Sequence, residues 1–304
     1  MALCRLDFEE RIMMKKLIAI VLGILLAAPA TAEEVNRTLD AASNGRVHIS
    51  NIAGEVTVNG WSRDQVEVTG ELGRNVEELI FERDGNKVII KVKVPKNGGR
   101  GIDSDLHIQV PQGSSLDVST VSADIDVKKV RGEQMLETVS GDVDTEGGES
   151  DVSAEAVSGD VTVNGQNKEA NTRANTVSGD VILVRVAGVA DAQSVSGDVT
   201  VTEGSFDRVD MNTVNGDILF RAGLRDGGKL VTETVNGSVD IEFDGAVSGR
   251  FDIDTFNGDI DNCFGPKPER TSKYTPGLEL SFQEGDGDAR VKVSTLNGDV
   301  SICR

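Results

Sequence analysis

Apolar and polar residues alternate along most of the chain around one short core that recurs at regular intervals. A clear copy of this core runs from Thr213 to Phe220, with the sequence TVNGDILF. The copies centre on Gly141, Gly159, Gly179, Gly197, Gly216, Gly237, Gly258 and Gly298, with Ala123 in place of Gly in an earlier copy. From Ala123 onward the intervals are 18, 18, 20, 18, 19, 21, 21 and 40 residues. A repeat of about 19 residues with a fixed core predicts a stacked repeat architecture.

The residues on either side of each Gly predict two short strands that meet at a corner. Valine, isoleucine, leucine or phenylalanine stands two positions before and two positions after the Gly, a period-two pattern typical of strands. Upstream of Gly258 the alternation changes phase, because Phe251, Ile253 and Thr255 share one side and Phe256 follows at once. Such a phase change predicts a bend. Glycine suits a bend because it tolerates positive φ and close backbone approach, although Ala123 indicates that positive φ is not obligatory.

Two architectures are compatible with these strands, an antiparallel meander and a parallel β-solenoid. The residue before the Gly is Ser in one consecutive block of copies and Asn in the next. In a solenoid, equivalent residues stack one strand spacing apart, so that Asn amides can form a hydrogen-bonded ladder. A meander has less reason to keep identical neighbours in blocks. We therefore expect an all-β chain forming a single-domain parallel β-solenoid (β-helix) of about ten coils, with its handedness left open.

The sequence divides into four segments. Residues 1–12 precede a second methionine and are interpreted as an upstream start extension. Residues 13–32 combine Met13-Met14-Lys15-Lys16, an apolar run and Ala30-Thr31-Ala32, which predicts a secretory signal peptide cleaved before Glu33. Residues 33–113 are interpreted as an N-terminal cap with irregular coils, and residues 114–304 as regular repeats. A loop insertion is expected at about 264–277, and the segment between Gly258 and Gly298 is either one extra coil without a corner or a long loop that clasps the C-terminal end.

After signal cleavage two cysteines remain, Cys263 and Cys303. Each lies five residues after its repeat Gly, so both occupy the same register. If their coils are adjacent, their Cα atoms lie about 4.8 Å apart, within disulfide range. Export to an oxidising compartment favours this disulfide over two buried free thiols.

Charge restricts the possible partners. The chain carries 31 Lys and Arg against 51 Asp and Glu, a net charge of −20. Nucleic acids and anionic lipids need basic surfaces, so neither is an expected partner. A cationic peptide, a glycan or another envelope protein fits this charge better.

An aspartate follows the Gly in nearly every copy. These residues are Asp124, Asp142, Asp160, Asp180, Asp198, Asp217, Asp259 and Asp299, with Ser238 as the exception. In a solenoid they form a column whose carboxylates either face solvent and accept backbone N–H bonds or bind cations such as Ca²⁺. The repeats of known Gly-Asp calcium proteins are nine residues long, which weakens the calcium interpretation. No cofactor and no catalytic residue is assigned.

The repeated Thr-Val-Ser-Gly-Asp-Val and Thr-Val-Asn-Gly-Asp-Ile cores, the export signal and the two cysteines resemble a known family. It is the bacterial "putative adhesin" family of β-strand repeats, a domain family of unknown function. Val58-Asn59-Gly60-Trp61 and Asn262-Cys263-Phe264-Gly265-Pro266 extend the resemblance toward both ends. It implies a β-helical envelope or surface protein without known catalysis, and it carries over no functional residues.

Three functions are compatible with these features. The first is an exported, non-enzymatic binding protein of the periplasm or cell surface. The second is a carbohydrate-active lyase or hydrolase, since β-helices host such enzymes, but here every candidate carboxylate belongs to the repeat. The third is a structural or envelope-stress protein without a specific ligand.

Overall fold

The structure is a computed structural model that describes residues 33–96, 99–147 and 149–304. The extension at residues 1–12 and the signal peptide at residues 13–32 lie outside the described residues. The described residues contain strands and no helix. The strands are β1 (Glu33–Asp40), β2 (Arg46–Trp61), β3 (Gln65–Leu72), β4 (Glu78–Asp84), β5 (Lys87–Lys93), β6 (Ser104–Pro111), β7 (Ser115–Lys128), β8 (Gln134–Ser140), β9 (Val143–Glu146), β10 (Val152–Ser158), β11 (Val161–Asn164), β12 (Glu169–Asn175), β13 (Val181–Val184), β14 (Ala187–Gln193), β15 (Val199–Asn212), β16 (Ile218–Asn236), β17 (Val239–Phe243), β18 (Gly249–Asn257), β19 (Ile260–Asn262), β20 (Glu269–Arg270), β21 (Leu278–Glu284), β22 (Ala289–Asn297) and β23 (Val300–Cys303).

All 23 strands belong to one sheet, so the all-β prediction is confirmed and the fold is β-solenoid-like. The strands lie within one compact unit, Glu33–Arg304. Within residues 33–96, 99–147 and 149–304, no helix could span a membrane.

The repeats pair in parallel along two ribbons, one before the corner and one after it. Before the corner, β8, β10, β12 and β14 follow one another in register. After the corner, β9, β11 and β13 do the same. The long strands β7, β15 and β16 pair on both ribbons. Equivalent residues of successive repeats are therefore neighbours across the sheet.

The C-terminal repeat does not lie at the end of the stack. Strand β22 pairs in parallel with β16 on one side and with β18 on the other, and β23 lies between β17 and β19 in the same way. The repeat of Gly298 therefore separates the repeats of Gly237 and Gly258. This order differs from the order along the sequence.

The segment after Phe264 provides an edge strand and not an extra parallel coil. Strand β21 pairs antiparallel with β18, the outermost parallel strand of this ribbon, and Phe282 stacks on Phe251 with ring centroids 4.5 Å apart. The segment therefore covers the outer edge of the repeat of Gly258 with a strand.

The N-terminal region also departs from sequential order. Strand β2 lies between β7 on one side and β5 and β6 on the other, in parallel with all three. The outer strands β1, β3 and β4 pair antiparallel with β3, β6 and β5, respectively. Antiparallel strands therefore lie outside the parallel strands at both ends of the sheet.

Cys263 and Cys303 form a disulfide with their Cα atoms 5.0 Å apart. Their strands β19 and β23 are direct neighbours. The predicted pairing is confirmed, and it joins the outermost repeat to the repeat inserted beside it.

The interior is a narrow core of small β-branched and aliphatic residues, with phenylalanines toward the C-terminal end. Val161, Val181 and Val199 are in register after the corner and are fully buried. Phe206, Phe220, Phe243 and Phe251 follow one another with ring centroids 5.8–6.1 Å apart. Because each repeat packs mainly on its neighbours, the core runs along the whole stack.

Candidate functional site

The most regular surface of the molecule is formed by five successive positions around each corner Gly, which we call the corner surface. From three residues before the Gly to one residue after it, the side chains are typically buried, exposed, exposed, half-buried and exposed. The buried position is usually Thr, and the exposed positions are apolar, then Ser or Asn, then Asp. Since the repeats stack in register, each position becomes a row along the sheet.

The second position forms the apolar row, in which large hydrophobic side chains face solvent. Their exposed fractions lie between 38% and 48%. In spatial order the row consists of Val121, Val139, Val157, Val177, Val195, Val214, Val235, Leu296 and Phe256. With about 4.8 Å between parallel strands, nine positions extend over roughly 40 Å. An exposed apolar stripe of this length is typical of an interaction surface.

In the eight copies that contain the corner Gly, the backbones of successive corners lie so close together that only glycine fits at the fourth position, which we call the glycine row. A Cβ added to Gly159 would lie 1.9 Å from the carbonyl oxygen of Gly141, and the distance at Gly216 to that of Gly197 would be 2.0 Å. Positive φ is found at Gly141, Gly159, Gly179 and Gly197 but not at Gly216, Gly237, Gly258 or Gly298. Close backbone approach is therefore the requirement that all eight glycines share.

Hydrogen bonds between repeats fix the neighbours of the glycine row. The Thr176 hydroxyl donates to the carbonyl oxygen of Gly159 at 2.9 Å, and most other repeats contain the same bond. The Asn block forms the predicted amide ladder, from Asn257 to Asn297, from Asn297 to Asn236 and from Asn236 to Asn215, at 2.8–2.9 Å. These bonds orient the corner so that the apolar row faces outward.

The Asp row lies on the other side of the Gly. In each bond of the row, Oδ1 of one Asp accepts the backbone N–H of the next corner, over 2.7–2.9 Å. The bonds run from Asp142 to Asp124, Asp160 to Asp142, Asp180 to Asp160, Asp198 to Asp180, Asp217 to Asp198, Ser238 to Asp217 and Asp259 to Asp299. One oxygen of these carboxylates is thus engaged in the corner, and Oδ2 is free for a cationic group.

A metal at the Asp row would have to use these remaining oxygens. In the described part of the chain, no three Asp, Glu, His or Cys residues are grouped so that they could hold an ion. Parallel neighbours lie about 4.8 Å apart, so each carboxylate presents its free oxygen singly. This arrangement suits separate contacts to a chain of cations better than one multidentate site.

Shifted pKa values occur at ion pairs away from the corner surface. The hydrogen bond from Lys168 lowers the pKa of Glu149, and the hydrogen bond to Asp126 raises the pKa of Lys128. Hydrogen bonds to Asp210 and Glu233 raise the pKa values of Arg208 and Lys292. All four shifts arise at exposed ion pairs, which require no catalytic explanation.

Sequence reasoning identifies the corner but not the exposure of its apolar row. The signal that could have found it is the phase change at Thr255 and Phe256. Two consecutive residues of a strand point to opposite faces, so a buried Thr255 places Phe256 outside. In the structure Thr255 is buried and Phe256 is 45% exposed.

Comparisons with known proteins concern the family and the fold. The family model described as Toastrack DUF4097 matches residues 44–303. No curated protein matches the chain. A solved "putative cell adhesion protein" from Clostridium sporogenes is 9% identical, with a TM-score of 0.22 over 89% of this chain and 99% of that chain. A solved "putative adhesin" from Parabacteroides distasonis is 9% identical, with a TM-score of 0.39 over 90% of this chain and 98% of that chain. At these identities and TM-scores, the two structures say nothing about the function of this chain.

Proposed function

The chain belongs to the Toastrack DUF4097 family, and we propose that it is an exported, non-enzymatic binding protein whose corner surface takes a cationic polypeptide segment with apolar side chains. This family match confirms the resemblance carried by the repeated Gly-Asp cores. The observation that carries the proposed function is the exposed apolar row beside the Asp row.

The apolar row supplies contact area and the Asp row supplies charge complementarity. Burial of the half-exposed Val side chains would release water from apolar surface, at roughly 25 cal/mol per Å². The free Oδ2 atoms lie on the same corner, one strand spacing apart, and attract cations. A partner that matches both rows carries basic and apolar side chains along one segment.

A polypeptide fits the corner surface better than a glycan does. Protein sites for sugars commonly stack aromatic rings on the sugar faces, whereas the apolar row consists of seven Val, one Leu and one Phe. Valine and leucine offer contact to aliphatic side chains of a peptide. Glycan binding, calcium binding and a ligand-free structural role are therefore treated as alternative outcomes of the test.

The proposal includes the number of coils in the fold and the boundaries of its segments. We propose that the two ribbons are the faces of a parallel solenoid of about ten coils. In this solenoid residues 33–113 form the N-terminal cap, and residues 114–304 form the regular repeats with the insertion at 264–277. The succession of nine corners along one row supports this organisation.

Export is supported by the signal pattern at residues 13–32 and by the disulfide. Disulfides persist mainly in oxidising compartments, which include the periplasm and the cell surface. Mass spectrometry of the protein purified from its native host tests this step, and a retained segment 13–32 would contradict it.

Calorimetric titration of residues 33–304 with a peptide of alternating Lys and Leu tests the binding function. We expect saturable binding that keeps part of its affinity at high salt. A peptide of alternating Lys and Ser should bind weakly and lose its affinity in salt, because it lacks the apolar contact. Equal behaviour of the two peptides would overturn the role of the apolar row.

Variants of the apolar row locate the site. Val177→Thr/Val195→Thr/Val214→Thr keeps β-branched side chains while making the centre of the row polar, and should weaken binding about tenfold. The matched control, Val184→Thr/Val189→Thr/Val231→Thr, changes three Val residues that point outward elsewhere. It should bind as the unmodified protein does.

Changing Asp160, Asp180 and Asp198 to Asn separates charge from structure, because the Asn oxygen can still accept the corner N–H bond. Weaker binding of the Lys-Leu peptide would support the proposed charge contact. A parallel titration with Ca²⁺ covers the metal alternative, and saturable Ca²⁺ binding that is lost in this variant would assign the row to calcium instead.

A further inference from the structure

A second surface of opposite charge lies on the ribbon before the corner, near the C-terminal end of the sheet. Arg208 is in register with Lys229, Lys229 with Arg290, and Arg290 with Arg250. All four side chains are exposed. We call these four residues the basic row. It is notable because the chain as a whole carries a net charge of −20.

Stacking like charges in register is unfavourable unless another group neutralises them. Directly opposed like charges on neighbouring strands destabilise a sheet, and these strands are about 4.8 Å apart. Arg208 is neutralised by Asp210, 2.6 Å away. Within the described residues, Lys229, Arg250 and Arg290 form no ion pair. Three adjacent cations are therefore not paired with any carboxylate of the described residues.

The same three residues line a shallow depression of about 410 Å³. Lys292 and Asp252 also line it, above the buried side chains of Leu230 and Val291. Lys292 forms a 2.8 Å ion pair with Glu233, and its hydrogen bond to this carboxylate raises the pKa of Lys292. Asp252 accepts a hydrogen bond from Ser281 at 2.9 Å. The depression thus combines four cations with one carboxylate.

We propose that this depression binds a compact anion carrying two or three linked phosphate groups, through Lys229, Arg250 and Arg290. Guanidinium groups bind phosphate oxygens in a bidentate manner, and three cations in succession match a short phosphate chain that crosses the strands. The linked phosphates could be free or part of a larger molecule. An anionic membrane surface fits poorly, because the rest of the acidic protein repels an extended negative plane.

The site is distinct from the corner surface. On β22, Arg290 lies six residues before Leu296 of the apolar row, which places the two about 20 Å apart along an extended strand. The two sites also favour ligands of opposite charge. Binding at the basic row can therefore be tested without reference to the peptide.

The experiment uses inorganic tripolyphosphate as the probe, titrated calorimetrically into residues 33–304 at low salt. We expect one saturable site per chain. The variant Lys229→Gln/Arg250→Gln/Arg290→Gln should lose about tenfold or more in affinity, because it removes three charge-assisted contacts. The charge-matched control Lys91→Gln/Lys267→Gln/Lys273→Gln changes exposed cations outside the row and should keep its affinity within about twofold.

A thermal shift measurement separates binding from folding. Tripolyphosphate should raise the Tm of the unmodified protein and of the control but not that of the basic-row variant. Without the anion, the basic-row variant should melt at or above the charge-matched control, because both lose three cations but only the basic-row variant is relieved of repulsion between stacked cations. A lower Tm would show that the row is structural and would overturn the proposal.

Two further outcomes would also contradict the proposal. One is the absence of saturable tripolyphosphate binding to the unmodified protein. The other is an equal loss of affinity in the control, which would mean that the anion responds to overall charge. Vesicles containing phosphatidylglycerol provide the membrane comparison, and binding to them without binding to tripolyphosphate would assign the basic row to a lipid surface.

Discussion

At the corner, the choice of residue follows from the distance between stacked backbones. Gly216 has no positive φ, yet a Cβ on it would lie 2.0 Å from the Gly197 carbonyl oxygen. The eight corner glycines therefore share a steric requirement, since a Cβ at any of them would clash with the backbone of the neighbouring corner. Sequence reasoning could name both possible reasons for Gly, but only the stacked backbone shows which one applies throughout.

Gly216→Ala tests this steric explanation without a change in backbone preference. We expect a loss of about 1–3 kcal/mol in the free energy of unfolding, as for other overpacked sites. Gly223→Ala, in the strand that follows, is the control, since a Cβ there would have its nearest neighbour, the carbonyl oxygen of Gly204, at 3.5 Å. That variant should lie within about 0.5 kcal/mol of the unmodified protein. Urea denaturation measures both, and equal stability of the two variants would contradict the explanation.

Ala156 is the one member of the buried corner position without a hydroxyl. Its counterpart Thr176 donates to Gly159, and the equivalent acceptor for position 156 is the carbonyl oxygen of Gly141. Ala156→Thr should therefore stabilise the protein by about 0.5–1.5 kcal/mol, the net value of one hydrogen bond. Thr176→Ala should destabilise it by a similar amount. A destabilised Ala156→Thr variant in the same denaturation assay would show that this corner has no room for the side chain.

At the scale of the strand, the repeat predicted the two short strands on either side of each corner, the corners themselves and the Asn ladder. These features depend on residues only a few positions apart. The order of the last repeats could not be predicted in the same way. The cores around Gly237, Gly258 and Gly298 carry nearly the same residues, so each could pair equally well with either of the others. The 40-residue interval before Gly298 is a signal of an exception but does not specify its position.

The basic row was missed although the repeat contains its signal. Arg208, Lys229, Arg250 and Arg290 are spread over about 80 residues, but each lies eight residues before its corner Gly, so the repeat places all four in the same register. The insertion of β22 between β16 and β18 sets their order, with Arg290 between Lys229 and Arg250. In a sheet with sequential order, Arg250 would lie beside Lys229 and Arg290 would come last. The row itself thus follows from the repeat, as the apolar row does, and only the order of its members depends on the order of the repeats in the sheet.

The disulfide should hold this inserted repeat against its neighbour. It closes a loop with a sequence separation of 40 residues. Replacing Cys263 and Cys303 by Ala should cost about 3–4 kcal/mol by the loop-entropy model. We expect the loss to be local, so that hydrogen exchange becomes faster in β18, β19 and β23 while β10 to β13 remain protected.

Reduction of the unmodified protein is the control for this variant, and it should reproduce the faster exchange at the C-terminal end. The double variant itself should not respond to the reductant. Unchanged exchange in both cases would mean that the pairing of β22 and β23 with two neighbours is sufficient without the disulfide.

For the whole molecule, repulsion between like charges opposes the stacked arrangement. A net charge of −20 in a protein whose Asp residues stand in register implies repulsion between neighbouring repeats. Two carboxylates about 5 Å apart in water repel by roughly 1 kcal/mol, and salt screens this effect. The Oδ1 bonds to the next corner offset part of this repulsion.

This balance predicts a salt dependence. The Tm of the unmodified protein should rise with ionic strength, and Asp160→Asn/Asp180→Asn/Asp198→Asn should melt at a higher temperature than the unmodified protein at low salt. The variant keeps the acceptor oxygen of each corner bond and removes only charge, so the two Tm values should converge at high salt. Calorimetric melting at two ionic strengths checks this. If the variant were less stable at low salt, the carboxylates would be favourable as charges, and the row would have to be neutralised by a bound cation and not by the backbone alone.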